Sequence, residues 1–129
     1  ARAPLPIPRT EMAWAAAAEG KLWVIGGYAE QRVNNSFVHV YDPATDSWAE
    51  KARLPRGANH VGVVAQGGRI FAFGGFNNQN RDADDLAFVY DIAADRWDRI
   101  APMPRPRGAG ALAMVDGKVH HIGGASNPE

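Results

Sequence analysis

The chain contains no cysteine among its 129 residues. This absence excludes disulfide frameworks, thiolate zinc sites and cysteine nucleophiles. No run of apolar residues approaches the roughly 20 residues that cross a membrane. Charge of one sign is not in excess either, because 14 Lys and Arg residues are balanced by 14 Asp and Glu residues. We therefore expect neither nucleic acid nor a membrane as a partner, since both are usually bound through a basic surface.

Internal repetition is the strongest feature that the sequence does have. Several independent landmarks recur at intervals of 48 or 49 residues. They are Leu5-Pro6, Leu54-Pro55 and Met103-Pro104; Gly26-Gly27, Gly74-Gly75 and Gly123-Gly124; Tyr41-Asp42 and Tyr90-Asp91; and Trp48 and Trp97. A repeat of about 50 residues that holds several short strands is typical of a propeller blade.

Short segments rich in β-branched and aromatic residues precede the Gly-Gly and Tyr-Asp pairs, and turn-forming residues separate these segments. The repeat therefore predicts an all-β fold with two four-stranded antiparallel blades, at residues 9–52 and 56–101. We expect the inner hairpin of a third blade at 107–124, and the tail of a preceding outer strand with a linker at 1–8. Ala15–Ala18 has high helix propensity. Its counterparts in the other units are strands, so we predict a strand there too.

In the order of its landmarks the chain resembles the kelch-repeat family. The resemblance is carried by the double glycine after an apolar strand, the Tyr-Asp pair about 15 residues later, and the Trp six residues after that Asp. A Pro-Arg pair before each inner strand also fits, as Pro8-Arg9, Pro55-Arg56 and Pro106-Arg107. The resemblance implies a partial kelch β-propeller. The pattern is most similar to bacterial kelch proteins, which form six-bladed rings.

The length of the chain does not match a closed ring. The 129 residues hold about 2.6 repeat units, whereas a closed propeller has at least four blades. Since the chain also begins with Ala1 rather than Met, we expect a fragment, or one piece of a split or self-assembling propeller. Two copies would give about 5.3 units, which is not a whole number of blades. We therefore expect a complementary propeller chain to complete the ring, with self-association as the alternative.

One end of the central channel is the predicted binding surface. In kelch relatives, functional residues lie on the loops and inner-strand starts at one end of this channel. The residues predicted to line it are Arg9, Glu11, Asn59, His60 and Arg107, flanked by Tyr28 and Phe76 from the two long connections at 28–35 and 76–85. The resemblance implies that such arginines hold acidic peptides through bidentate guanidinium–carboxylate pairs. The alternative is structural, with each arginine bound to a backbone carbonyl or to an Asp of the next blade.

Metal binding and catalysis find little support in the sequence. Glu11 and His60 are the one acid and the one imidazole at these positions, and a metal site usually needs three or more ligands. The remaining histidines occupy strand positions. The acidic run that ends at Asp85 lacks the ligand spacing of a calcium loop. No nucleophile elbow or phosphate-binding glycine loop occurs. We predict no metal, no cofactor and no catalytic residue.

The sequence favours a kelch-type binding scaffold that recognises a protein, a peptide or a small acidic ligand at the channel mouth. An alternative is part of a ligand-binding or metal-assisted enzyme propeller that acts on a sugar-like substrate. The radical copper oxidases of that group need a Tyr–Cys crosslink, which a chain without cysteine cannot form by itself. A third possibility is a purely structural piece of a propeller. Fold alone does not decide among these functions.

Overall fold

The computed structural model describes residues 1–12 and 14–126. Apart from one short 3-10 helix (Glu30–Arg32), the regular structure there is β-strand. The strands are β1 (Ala16–Ala18), β2 (Lys21–Ile25), β3 (Val38–Asp42), β4 (Ser47–Lys51), β5 (Gly62–Gln66), β6 (Arg69–Phe73), β7 (Phe76–Asn77), β8 (Asp82–Ala83), β9 (Ala87–Asp91), β10 (Arg96–Ile100), β11 (Ala111–Val115) and β12 (Lys118–Ile122). This confirms the all-β prediction. The part of the chain that the structure describes contains no helix long and apolar enough to cross a bilayer.

The strands form the two blades and the hairpin that the repeat predicts. Blade 1 is the antiparallel sheet β1-β2-β3-β4, blade 2 is the antiparallel sheet β5-β6-β9-β10, and the third hairpin is β11-β12. Ala16 pairs with Trp23 on β2, so the alanine run is the inner strand of blade 1 and not a helix. Here the demands of sheet pairing override the local helix propensity.

A small extra hairpin interrupts the second long connection, which the sequence indicates only as a polar loop. In this hairpin Phe76 pairs with Ala83, and Asn77 pairs with Asp82. The turn at residues 78–80 has three successive backbone φ angles of 47°, 56° and 66°. Two of its three residues are asparagine, which tolerates the left-handed region better than most residues do.

The core lies between blades 1 and 2, which pack face to face. Trp23 and Ile25 project from β2 toward blade 2 and are buried. Ile70 and Tyr90, which pair across β6 and β9, project from the facing side of blade 2 and are also buried. Trp23 meets Tyr90 edge to face, with 5.5 Å between the ring centroids. Alternate residues of each strand thus serve different blade interfaces.

The glycine pairs join each blade to the next through the backbone. Gly27 donates its N–H to the carbonyl of Ala58 at 2.8 Å, and Gly75 donates to the carbonyl of Arg107 at 3.1 Å. A Cβ on Gly74 would lie 2.2 Å from the same Arg107 oxygen. Only glycine fits so close to a neighbouring backbone while it also adopts a positive φ. The paired glycines are therefore a requirement of blade packing.

The repeated Tyr and Trp form an aromatic pair within each blade, and Tyr90 of blade 2 also contacts Trp23 of blade 1. In blade 1, Trp48 packs on Tyr41 with 5.1 Å between ring centroids and donates its indole N–H to the carbonyl of Ala3 at 2.9 Å. In blade 2, Trp97 packs on Tyr90 and donates to Ala52 at 2.8 Å. The tryptophans are half-buried. Each one holds the segment that enters its own blade.

Candidate binding surface at the channel mouth

The entry to each inner strand pairs with the residue that follows the glycine pair of the same unit. Single antiparallel bridges join Thr10 to Tyr28, Asn59 to Phe76, and Gly108 to Ala125. These three bridges are equivalent points of successive units. The third unit carries only small residues at both positions. The surface is therefore asymmetric, with large side chains in the first two units and open space beside the third.

The residue after each bridge adopts a left-handed backbone. Glu11, His60 and Ala109 have φ angles of 52°, 51° and 59°. The N–H of His60 donates to the carbonyl of Glu11 at 2.9 Å, and the N–H of Ala109 donates to the carbonyl of His60 at 3.1 Å. A positive φ costs a non-glycine residue roughly 1–2 kcal/mol. Such strain concentrates at functional sites. Here the backbone hydrogen bonds between successive units hold the strained residues in place.

Asn59 is the buried centre of the polar network, with none of its surface exposed. Its Nδ2 donates to Oδ1 of Asn34 at 2.8 Å and to the carbonyl of Phe76 at 3.0 Å. These two bonds orient the amide, so its Oδ1 faces Nδ1 of His60 at 2.6 Å. An amide oxygen can only accept, so Nδ1 carries the imidazole proton. In the neutral imidazole, the network therefore places the proton on Nδ1 and leaves Nε2 as an acceptor.

Glu11 connects the first unit to the loop of the second. Its Oε2 lies 3.6 Å from Nδ1 of His60 and accepts a hydrogen bond from Nδ2 of Asn80 at 3.1 Å. The hydroxyl of Tyr28 donates to Oδ1 of the same asparagine at 3.2 Å. The Phe76 ring packs edge to face against the imidazole of His60 at 5.9 Å. These contacts bring five of the seven predicted residues together: Glu11, Tyr28, Asn59, His60 and Phe76.

The guanidinium of Arg9 is directed into its own blade. It donates to the carbonyls of Gly26 at 3.2 Å and Phe37 at 3.0 Å, and its Nη2 donates to Nδ1 of His39 at 2.8 Å. The side chain is buried, and burial lowers the pKa of Arg9 from its usual value. Burial and the nearby arginine also lower the pKa of His39. Arg9 therefore ties together β2 and β3 of blade 1.

The later arginines bind equivalent carbonyl groups. Arg56 donates to the carbonyl of Gly74 at 3.0 Å and forms an ion pair with Asp84 at 3.3 Å. Arg107 donates to the carbonyl of Gly123 at 2.8 Å. The structure thus does not direct the guanidinium groups into the cluster around Asn59. These contacts match the structural interpretation of the arginines more closely than the ligand-binding one.

Trp14 belongs to the mouth but was missed by sequence reasoning. Its side chain is 78% exposed. It helps to line a shallow cavity of about 170 Å³, whose walls are Met12, Trp14, His60, Val61, Ala109 and Gly110. Unit 1 has one residue more between Glu11 and Ala16 than unit 2 has between the equivalent His60 and Val64. The change from a 49-residue to a 48-residue interval within the inner strand was the signal that could have revealed this insertion.

A metal site does not emerge from these residues. Within residues 1–12 and 14–126, no group of three or more His, Asp or Glu side chains is arranged to hold a metal ion. A larger cavity of about 460 Å³ is lined by the linker at 102–107, including Arg107, and by Phe73, Val119 and His121. In it, Nδ1 of His121 lies 3.0 Å from the sulfur of Met103, and burial, followed by the charge of Arg107, lowers the pKa of His121.

Comparison with known proteins identifies the repeat. A family model described as the KLHDC2/KLHL20/DRC7 Kelch-repeats domain matches residues 1–129. The chain belongs to the kelch-repeat family. Human Kelch-like protein 28 is 32% identical over 85 residues, which are 60% of this kelch chain and 15% of that protein. Human Kelch-like protein 35 is 34% identical over 71 residues, which are 55% of this chain and 12% of that protein.

A differently named relative shares the same repeat. Human Host cell factor 2 is 32% identical over 84 residues, which are 63% of this chain and 10% of that protein. The match thus spans between 10% and 15% of the length of these three curated relatives. What the kelch chain shares with them is the repeat itself.

Proposed function

We propose that this kelch chain is a protein-interaction scaffold that binds a peptide segment of its partner at the channel mouth. The observation that carries this proposal is the cluster around Asn59, which joins side chains from two blades and one long loop beside the exposed Trp14. A buried polar network of this kind costs stability unless every group is satisfied. Its position at the entries to the inner strands of successive units supports a role in recognition.

The shape of the mouth favours a peptide over a small molecule. The cavity beside His60 has about 170 Å³, whereas pockets for small molecules and cofactors usually have roughly 300–1,000 Å³. An exposed tryptophan next to a shallow, partly polar depression is typical of the centre of a protein interface, where aromatic anchors supply much of the binding energy.

Selection from a random peptide library displayed on phage tests the proposal. The selected peptides should lose binding to the double variant Glu11→Ala and His60→Ala. Ala109 already occupies the equivalent backbone position in the third unit, so alanine is compatible with the fold there. The matched control is Glu19→Ala with Asp116→Ala, two acids in the hairpin turns at the other end of the inner strands. Peptides that bind both variants equally well would contradict a site at the mouth.

We also propose that a complementary propeller chain covers the outer faces of this one. Ile122 on β12 is 65% exposed, and Leu22 on the opposite outer face is 44% exposed. In the two complete blades, Val38 and Ala87 on the third strands are fully buried. A further strand along β12 would fill the 460 Å³ cavity. Its apolar side chains would then be buried as Val38 and Ala87 are. Following the sequence resemblance, we propose a six-bladed ring of the type found in bacterial kelch proteins.

Sedimentation velocity tests the covering of these faces. The purified chain should associate as its concentration rises, because an uncovered apolar sheet face favours pairing in the absence of the natural partner. The variant Ile122→Lys should shift the population toward the monomer. Val33→Lys is the control, since Val33 is also exposed but lies in a loop of the first unit. A monomer that melts cooperatively at all concentrations would contradict this second proposal and leave the first untouched.

A further inference from the structure

The geometry points to the cationic side chain of an Arg or Lys as the group that the mouth recognises in its peptide. This inference rests on the proposed function and names the chemistry of that same site. It reverses the acidic ligand that the arginines suggest in the sequence. The argument depends on which polar groups at the mouth are already used and which are left for a ligand.

The side-chain donors next to Glu11 and Asn59 are used within the protein. Arg9 and Arg107 donate to backbone carbonyls of their own units. Both bonds from Nδ2 of Asn59 go to protein acceptors, and Nδ2 of Asn80 donates to Glu11. A carboxylate ligand would need donors such as these to replace its hydration. In the folded chain these donors bind backbone and side-chain acceptors of the protein itself.

Glu11 and His60 present acceptors in this part of the mouth. The side chain of Glu11 is 33% exposed, and both of its described contacts use Oε2, so Oε1 is left for a ligand. His60 lines the cavity with Nδ1 as its donor nitrogen, so Nε2 accepts. Trp14 presents an exposed indole in the same cavity wall.

A carboxylate, an imidazole acceptor and an indole face all attract a hydrogen-bond donor that carries positive charge. The ring quadrupole of tryptophan attracts a guanidinium or ammonium group that lies within about 6 Å of its centroid. The Glu11 carboxylate adds direct charge attraction, and Nε2 of His60 accepts a hydrogen bond from the same group. The three groups come from one small area, because Glu11 lies 3.6 Å from His60 and Trp14 lines the same cavity as His60. The site is thus complementary in charge to a basic peptide segment.

The experiment compares three blocked tripeptides by NMR titration of the ¹⁵N-labelled chain. They are Ac-Gly-Arg-Gly-NH₂, its neutral isostere with citrulline, and Ac-Gly-Glu-Gly-NH₂. We expect the arginine peptide to shift the indole resonance of Trp14 and the amide resonance of His60, and the other two to shift them little. The variant Trp14→Ala identifies the indole signal and should weaken binding about two- to fivefold, as expected for an exposed cation–π contact.

Glu11→Gln is the decisive variant, because it keeps the size of the side chain and removes its charge. It should weaken binding of the arginine peptide about fivefold and leave the small shifts of the citrulline peptide unchanged. Glu19→Gln at the opposite end of the strand is the matched control and should change nothing. Unchanged folding of each variant is checked from the remaining resonances of its spectrum.

The outcomes separate this inference from the proposed function. Equal shifts with the glutamate peptide, or arginine binding that ignores Glu11→Gln, would overturn the cationic ligand. The mouth would then still be a peptide site. No binding by any of the three tripeptides, together with selected phage peptides that lack basic residues, would overturn it as well. If the phage selection also yields nothing that depends on the mouth, the proposed function fails with it.

Discussion

Blade 2 and the third hairpin carry equivalent strands, yet their side chains are buried to different degrees. On β6, Ile70 and Ala72 are fully buried against blade 1. The equivalent residues on β12, Val119 and His121, are only half-buried against blade 2. Ile122, on the opposite face of β12, is 65% exposed. The inner hairpin alone therefore does not bury its own residues; the third strand and the following blade complete the burial.

The glycine pairs differ in the same way. A Cβ on Gly74 would meet the backbone oxygen of Arg107 at 2.2 Å. Among the described residues, no atom lies within 4 Å of the corresponding position on Gly123. Both glycines have a positive φ. For the first glycine of each pair, the steric part of the requirement is thus imposed by the next unit, whereas the conformational part is built into each unit.

Substitution of these two glycines gives the largest expected contrast. Gly74→Ala should lower the free energy of unfolding by about 3–4 kcal/mol, since it combines the cost of a left-handed alanine with a clash against backbone. Gly123→Ala should cost only about 1–2 kcal/mol, because the conformational term alone remains. Urea denaturation of both variants measures the difference. Equal losses would show that the third hairpin is as tightly covered in solution as blade 2.

Truncation of one isoleucine in blade 2 and one in the third hairpin gives the next contrast. Ile70→Ala should cost about 3 kcal/mol, the usual penalty for a cavity in a packed core. Ile122→Ala removes the same atoms from an exposed face and should change the free energy of unfolding by about 0.5 kcal/mol or less. If a complementary chain is added, the second variant should become costly as well. A large loss for Ile122→Ala in the isolated chain would indicate that β12 is already covered by another copy.

The pH dependence of stability gives the smallest expected effect. Burial, with a smaller contribution from Arg9, lowers the pKa of His39 in the folded chain. The unfolded chain therefore binds more protons just below the ordinary histidine pKa of about 6.5. His39 contributes stability above that pH, and this is lost as the pH falls toward the folded pKa. His39→Phe copies Phe88 of blade 2 and should recover part of the loss on acidification.

His120→Phe on the exposed face of the third hairpin is the control for this measurement. Chemical denaturation at several pH values between neutral and mildly acidic conditions compares both variants with the parent chain. The parent and His120→Phe should show the same slope of stability against pH. A slope that His39→Phe leaves unchanged would mean that the histidine is hydrated and charged within blade 1.

The repeat interval allowed the fold to be predicted from sequence, because each landmark answers to a local requirement. The glycine pairs, the Tyr-Asp turns and the strand segments recur because each unit has the same local structural requirements. Ala15–Ala18 shows the value of this periodicity, since its own propensity indicates a helix. The small β7–β8 hairpin could not be predicted in this way. At the equivalent position unit 1 has only a single bridge, between Tyr28 and Asn34, and most residues of the hairpin are polar.

The candidate site was predicted less completely, because side-chain partners depend on contacts between units. Glu11, Asn59 and His60 follow from their place before the inner strands. The direction of the arginines does not, and Arg56 shows why. In unit 2 the residue equivalent to Arg107 is Ala58. Arg56, two residues earlier in the chain, donates to the carbonyl of Gly74. Trp14 was overlooked because its one-residue insertion is visible only when two different repeat intervals are compared.

The backbone series through Glu11, His60 and Ala109 has a consequence for how such a surface changes over evolution. The units are joined at these points by main-chain N–H and carbonyl groups, which every residue except proline possesses. An acid, an imidazole and a methyl group already stand at the three positions without altering the joint. The backbone contacts at each position therefore do not depend on which side chain stands there. Single substitutions at these positions can change the side chains that the surface presents, while the backbone contacts between the units stay the same.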